Sequence, residues 1–459
     1  MSDVRDSTHR AWVYAILAFA LPVGLAVTAP LRPQGGDTVP AKIGMHVWQC
    51  ERTFDLAGVE WLRAQVLEGK RPYFAVVTED RARLVSAWGP APALWGALTT
   101  PPLRPGAVID DDQMARRARG SAALALGLCA LFLFLAIRVR RPPLIALVGA
   151  MTAALSFAGA ALIGQALWQQ SVSCVALCAS WWALAEGATA RPKSPALGAA
   201  IVLSTLAIAI RPADTLVALA GGVLAFSALW RTGRRTALAM SLVGALAVMV
   251  AFAFWNLNHL GTWWPSGQAL THRGTAPLFA HDVADVGLAY AGLLLSPSRG
   301  LLFFAPVVIV AIVAGARSIA DARTFSLSLL VQLVVCAAFY KWWGGVAFGP
   351  RLTSAVVWAA CFSLFALVEP KHVHGRLVGL AAIVTITVGL IGLYRYDPRK
   401  WDLRVDVDRA PSSVWSVSDS TIAASLRPLP PGTPAIVDSP EGPFLYCVDR
   451  TLSSTPPQS

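Results

Sequence analysis

The 459-residue chain is 56% hydrophobic and only 14% charged, with a mean hydropathy of +0.57 and repeated apolar runs long enough to cross a bilayer core. That composition excludes a soluble globular fold and fits an all-α polytopic membrane protein. A formal net charge of +12 would suit a nucleic-acid binder, but the Arg and Lys residues fall in short clusters between the apolar runs, the pattern that orients membrane spans, and no nucleic-acid partner is needed.

About eleven spans are expected, at roughly 11–29, 119–137, 143–163, 171–189, 196–210, 213–230, 236–256, 299–316, 324–340, 352–368 and 376–394. The first lacks a convincing small-residue cleavage site, which makes it a retained span rather than a signal peptide. The clusters Arg138/Arg140/Arg141, Arg191/Lys193, Arg231/Arg234/Arg235, Arg317/Arg323 and Lys371/Arg376 then share the side of Arg5 and Arg10. This puts the N-terminus on the cytoplasmic side of a plasma (inner) membrane. The run from Leu197 to Trp230 is interrupted by Arg211-Pro212-Ala213-Asp214. Two helices joined there keep the charge rule, whereas one long span would invert everything after it.

This reading gives a transmembrane module over 1–394 with extracytoplasmic loops at 30–118 and 257–298, followed by an extracytoplasmic tail at 395–459. In the first loop, Phe54 to Leu67 suits an amphipathic helix, and Tyr73 to Val77 and Arg83 to Ala87 suit short strands. The Pro-rich apolar piece from Trp88 to Leu103 fits either the membrane interface or the bundle surface. The tail carries strand-like pieces at Pro434 to Val437 and Phe444 to Val448. Of seven cysteines, Cys129, Cys174, Cys178, Cys336 and Cys361 lie in apolar runs as small hydrophobes. Cys50 and Cys447 lie in polar extracytoplasmic segments, where a disulfide is chemically allowed and the sequence leaves their pairing open.

Several residues have the chemistry for a lipid-borne substrate. Lys341-Trp342-Trp343-Gly344-Gly345-Val346-Ala347-Phe348-Gly349-Pro350-Arg351 is a glycine-broken aromatic turn with two cations at a membrane boundary. A guanidinium at a helix start, here Arg351, pairs bidentately with phosphate. Asp37 follows Gly35-Gly36 just beyond the first span, a place for a carboxylate that meets a membrane-bound ligand; an Asp there also serves as an ordinary turn residue. Arg299 in Ser296-Pro297-Ser298-Arg299-Gly300 and Arg211 at its Pro-marked break are further cations at expensive positions, each equally able to act as a snorkelling end-cap. Trp168, Trp255, Trp263, Trp264, Trp342 and Trp343 suit either an interfacial belt or sugar stacking. His272, His281 and Asp282 lack metal-ligand spacing, and no phosphate loop, thiol pair or nucleophile elbow is present.

Taken in order, Gly36-Asp37-Thr38, Leu84-Val85-Ser86, Leu167-Trp168-Gln169, Arg211-Pro212, Leu295-Ser296-Pro297-Ser298-Arg299-Gly300-Leu301, Trp343-Gly344-Gly345 and Phe348-Gly349-Pro350-Arg351 give residues 10 to 390 a likeness. The chain resembles the GT-C superfamily of integral-membrane glycosyltransferases, among them protein mannosyltransferases and lipid A aminoarabinose transferases. The resemblance implies a GT-C-like arrangement of spans and transfer of a sugar from a polyprenyl-phosphate donor to an extracytoplasmic glycan, lipid or protein. Asp37 would be the general base. Arg351, with Arg299 and Arg211, would hold the lipid phosphate, and Lys341, Trp343 and Trp168 would complete the substrate site. One departure matters: Asp37 is followed by Thr38, and the next acids are Glu51 and Asp55, so a paired acidic motif is missing and a metal-free mechanism is expected. A flippase of a lipid-linked saccharide is the alternative, and an inactive membrane scaffold a third reading.

Overall fold

The computed structural model describes residues 2–31, 36–67, 75–77, 83–104, 108–263, 282–339, 341–405, 407, 409–429 and 445–446, and the chain is about 75% helical. A long apolar helix, α1 (Ser2–Thr28), leads into a loop built from α2 (Val39–Glu51), α3 (Glu60–Leu67), β1 (Ala75–Val77), β2 (Leu84–Ser86), α4 (Ala91–Thr99) and β3 (Val108–Ile109). The bundle continues with α5 (Asp111–Arg138), α6 (Pro143–Ala154), α7 (Gln169–Gly187), α8 (Ser194–Ile210), α9 (Thr215–Arg231) and α10 (Arg235–Leu260). Then follow α11 (Val283–Leu295), α12 (Leu301–Phe304), α13 (Val307–Ala316), α14 (Ala320–Ala338), α15 (Ser354–Phe362) and α16 (Gly375–Arg395). The tail adds α17 (Asp402–Val405), α18 (Thr421–Leu426) and β4 (Leu445–Tyr446).

Among the described residues, six helical stretches are long and apolar enough to cross a membrane: Ala11–Thr28, Asp111–Arg138, Pro212–Arg231, Arg235–Leu260, Ala320–Ala338 and Gly375–Arg395. This is a multi-pass helical membrane protein. Of the remaining expected spans, α7 is a continuous 19-residue helix and the others are helical but shorter or broken, with three breaks traceable to a local cause. After α6 the hydroxyl of Ser156 donates to Ala153 O at 2.6 Å and accepts the Gly159 amide at 3.2 Å, closing one helix before a second turn begins at Gly159. Between α12 and α13 stands Pro306, which cannot supply the helical amide. Between α8 and α9 the chain makes a single 3-10 turn, Pro212–Asp214, so the run from Leu197 to Trp230 is two helices.

The core is aromatic where the helices converge: Trp181 stacks on Phe362 with centroids 5.4 Å apart, and Phe325 meets Phe362 edge-on at 5.2 Å. By contrast only 11% of the apolar stretch of α10 is buried, leaving Met240, Val243, Leu246 and Phe254 exposed. Such a face suits hydrocarbon rather than water.

The polar segments gather at one end of the bundle. β1 and β2 pair antiparallel, Ala75 opposite Ser86, within the two pieces expected to be extended. α4 packs on α2 so closely that a Cβ on Gly96 would lie 2.9 Å from Met45 Sδ, so one face of the Trp88 to Leu103 piece is packed, while Leu98 stays exposed. β3 pairs antiparallel with β4, Val108 opposite Tyr446, so the tail returns to the first loop. Cys50 is disulfide-bonded, and the five cysteines of the apolar runs are free and buried; Cys447 lies outside the described residues. So do Trp264, His272, His281 and the Pro434 to Val437 piece.

Candidate functional site

Arg351 Nη1 lies 2.5 Å from Asp37 Oδ2, although the two come from opposite ends of the transmembrane region. Asp37 sits in a 3-10 turn, Gly36–Thr38, at the entrance to α2, and Arg351 opens the turn Arg351–Thr353 that leads into α15. Their side chains are 20% and 16% exposed, so the pair is partly desolvated yet reachable. The ring of Trp168, at the entrance to α7, lies under the guanidinium with its centroid 5.0 Å from Cζ. A planar cation over an indole is favourable and fixes the plane of the guanidinium.

The glycines before Arg351 explain how it gets there. Gly344, Gly345 and Gly349 all have positive φ, +83°, +65° and +80°, a region that side chains resist. A Cβ on Gly344 would lie 2.9 Å from Arg351 Cγ, and one on Gly345 3.6 Å from its Nη2. The turn therefore wraps the arginine with bare backbone. Nε of Arg351 is buried with no hydrogen-bond partner among the described residues, leaving one donor of the fork unused.

The other expected site residues divide. Lys341 is half-buried at the start of the turn, where its carbonyl accepts the Gly344 amide at 2.8 Å. Trp343 is buried in a cluster with Trp401, Val407, Val414 and Ala424 of the tail, which makes it packing rather than an open platform. Arg211 pairs with Asp214, which also accepts from Ser173 Oγ at 2.7 Å, and both members of that pair are buried.

Arg299 is fully buried. Its Nη1 donates to Ser298 O at 3.2 Å and Thr421 Oγ1 at 3.1 Å, and its Nη2 donates to Gly345 O at 3.2 Å and to Asp402. Trp401 covers the guanidinium, its ring centroid 4.9 Å from Cζ. The second Asp402 oxygen accepts from Tyr396 at 2.7 Å. Burial, reinforced by the Asp402 carboxylate, pushes the Tyr396 phenol well above its usual range, which keeps it an O–H donor. Both terminal nitrogens of Arg299 are so engaged, while its Nε, like that of Arg351, is buried with no hydrogen-bond partner among the described residues.

A second buried cluster stands behind Asp37 on α2, where sequence reasoning placed nothing. Lys42 Nζ pairs with Asp111 Oδ1 at 2.6 Å. His46 Nδ1 lies 2.7 Å from Lys42 O, while Arg117 Nε donates to His46 Nε2 at 3.2 Å. Arg117 Nη2 reaches Gln49 Oε1 at 2.9 Å and Pro101 O at 2.5 Å. Burial first, then the nearby Arg117 and Lys42 charges, lower the His46 pKa to about 4. A neutral imidazole donating from Nδ1 and accepting at Nε2 satisfies both contacts. The available signal was Lys42 and His46 one helical turn apart, a polar ridge on an apolar segment.

Among the described residues, no three His, Cys, Asp or Glu side chains gather as a metal site would require. The donor set at Asp37 is one carboxylate facing a guanidinium. Comparison with family models, with curated proteins and with solved structures finds no match to this chain.

Proposed function

We propose that the chain is a membrane glycosyltransferase that moves a sugar from a polyprenyl-phosphate donor to an acceptor hydroxyl, within a GT-C-like arrangement of about eleven spans. The observation that carries this reading is the Asp37–Arg351 ion pair, partly exposed and seated on Trp168 at the end of the bundle where the loops and tail gather. It unites a proton acceptor with an anion clamp. In the proposed orientation the N-terminus is cytoplasmic and this end faces away from the cytoplasm of a plasma (inner) membrane.

The two groups would divide the reaction between them. A donor phosphate competes with the Asp37 carboxylate for the Arg351 fork, because each offers a pair of anionic oxygens spaced to accept the two parallel N–H donors of a guanidinium. Its binding frees the carboxylate. The acceptor oxygen then attacks the anomeric carbon as its proton passes to Asp37, and the bond from that carbon to the phosphate oxygen breaks with the electron pair leaving on phosphate. Arg351 stabilises that departing charge, and its unused Nε–H is a further donor for it. The sugar, and whether the acceptor is glycan, lipid or protein, follow from the mass change of the glycan affected when the protein is lost.

A second reading, a flippase for a lipid-linked saccharide, draws on the buried Arg211–Asp214 pair at a helix break, the kind of position where transporters keep ionisable groups. The two separate cleanly in reconstituted vesicles. A transferase releases polyprenyl phosphate from a polyprenyl-phosphate sugar in the presence of acceptor, and Asp37→Asn abolishes that release while phosphate-lipid binding persists. Movement of intact donor across the bilayer without release would overturn the transferase reading.

A further inference from the structure

The tail is tied into the turn that presents Arg351, and one buried arginine makes the connection. Arg299 contacts three segments at once: the loop before α12 through Ser298 O, the glycine turn through Gly345 O, and the tail through Asp402 and Thr421. Two further links run beside it: Ser298 N donates to Val414 O at 3.3 Å, and the Thr421 hydroxyl donates to Ser298 O at 3.3 Å. A Cβ on Gly345 would lie 3.6 Å from Nη2 of Arg351, so the Gly345 backbone borders that guanidinium. Asp402, Arg299 and Gly345 are joined by hydrogen bonds, and Gly345 stands beside Arg351.

An arginine this buried needs a matched charge and bonded donors, and here both terminal nitrogens are hydrogen-bonded while Nε alone has no partner among the described residues. Asp402 supplies the charge, Trp401 covers one face, and Gly345 O is where the arrangement meets the site. The carbonyl matters because Gly345 is in a left-handed conformation, one of several that a free glycine samples at similar cost. A donor fixed on its oxygen narrows that choice.

We infer that Arg299 and Asp402 are positioning residues for Arg351, and that the tail segment 396–427 is a wall of the anion site rather than an appendage. The inference rests on the proposed function only in which ligand reads it out. It makes Arg299 a supporter of the phosphate clamp, not a member of it.

The full-length protein in detergent, titrated with undecaprenyl phosphate, tests this with Arg299→Lys, Asp402→Asn and Arg351→Ala. Arg351→Ala is expected to weaken binding about a hundredfold, in line with loss of a charge-assisted pair, and Arg299→Lys about tenfold. The double variant Arg299→Lys/Arg351→Ala should bind no more weakly than Arg351→Ala alone, since Arg299 acts through Arg351. Additive losses would instead put Arg299 on the phosphate and overturn the inference. Hydrogen exchange gives a readout independent of any ligand: in Asp402→Asn, or in Arg299→Lys should the former not fold, protection of 341–353 should fall together with that of 396–427 while α5 and α7 keep theirs. An unchanged 341–353 turn would overturn the inference. If Arg351→Ala binds undecaprenyl phosphate normally, the ligand reading fails, and the exchange result still decides the positioning role.

Discussion

The indole of Trp168 lies beneath the guanidinium of Arg351, 5.0 Å from Cζ to ring centroid, and is itself buried with Leu162, Ala166 and Ala347. An aromatic face so placed offsets part of the cost of half-burying a cation, by about 1 kcal/mol. Trp168→Phe keeps a weaker face and should cost little, whereas Trp168→Ala should weaken binding of a phosphate lipid roughly fivefold. Isothermal titration of the two variants with undecaprenyl phosphate checks this; equal affinities would remove the ring from the site.

The glycine turn gives a graded series. Gly345→Ala meets positive φ but only ordinary contact with Arg351, while Gly349→Ala also places a methyl 2.7 Å from Phe304 Cδ1. Backbone strain alone costs about 1 kcal/mol, and overpacking adds about 1–3 kcal/mol. Gly349→Ala should therefore lower the melting temperature clearly more than Gly345→Ala, measured by the thermal unfolding of each in one detergent.

What could be read from the sequence followed the size of the physical signal. Apolar length announces a membrane bundle, and the Arg211-Pro212 break announces two helices, because proline removes an amide wherever it stands. Asp37 and Arg351 were legible as types at a membrane edge, but their contact depends on packing among helices far apart in the chain. Arg299 reads as an anion holder in the sequence because a cation before a helix looks the same whether its partner is a phosphate or a carboxylate about a hundred residues away. Asp402 gave no warning, as a single acid in a Pro-rich tail has no periodicity to betray burial. The Lys42 and His46 ridge was passed over because its partners, Asp111 and Arg117, lie beyond the rest of the loop.

His46 makes stability depend on pH in a stated direction. Its pKa falls from 6.5 when unfolded to about 4 when folded, so between those values the unfolded chain binds the extra proton and stability rises with pH. The contribution is fully present above about pH 6.5 and is lost as pH falls towards 4, about 3 kcal/mol in all. Lys42 and Arg117 face the imidazole, and Asp111 balances Lys42. His46→Gln should flatten that part of the melting-temperature profile relative to the parent protein; parallel profiles would count against it.

The Arg211–Asp214 pair should behave as a buried pair does when halved. Asp214→Ala leaves Arg211 without its carboxylate and Ser173 without its acceptor, a loss of about 3–5 kcal/mol. The double variant Arg211→Met/Asp214→Leu should recover most of it. Thermal unfolding of the single and double variants settles the matter, and recovery without loss of the proposed transferase activity would also exclude Arg211 from the chemistry.

Strand β3 ends the first loop and strand β4 lies near the far end of the sequence, yet the two form one ladder. Closing so long a loop is slow and entropically late. During synthesis the edge of β3 must therefore wait unpartnered until β4 has been made. A ribosome-stalled chain that stops short of β4 would be helical and lack this ladder.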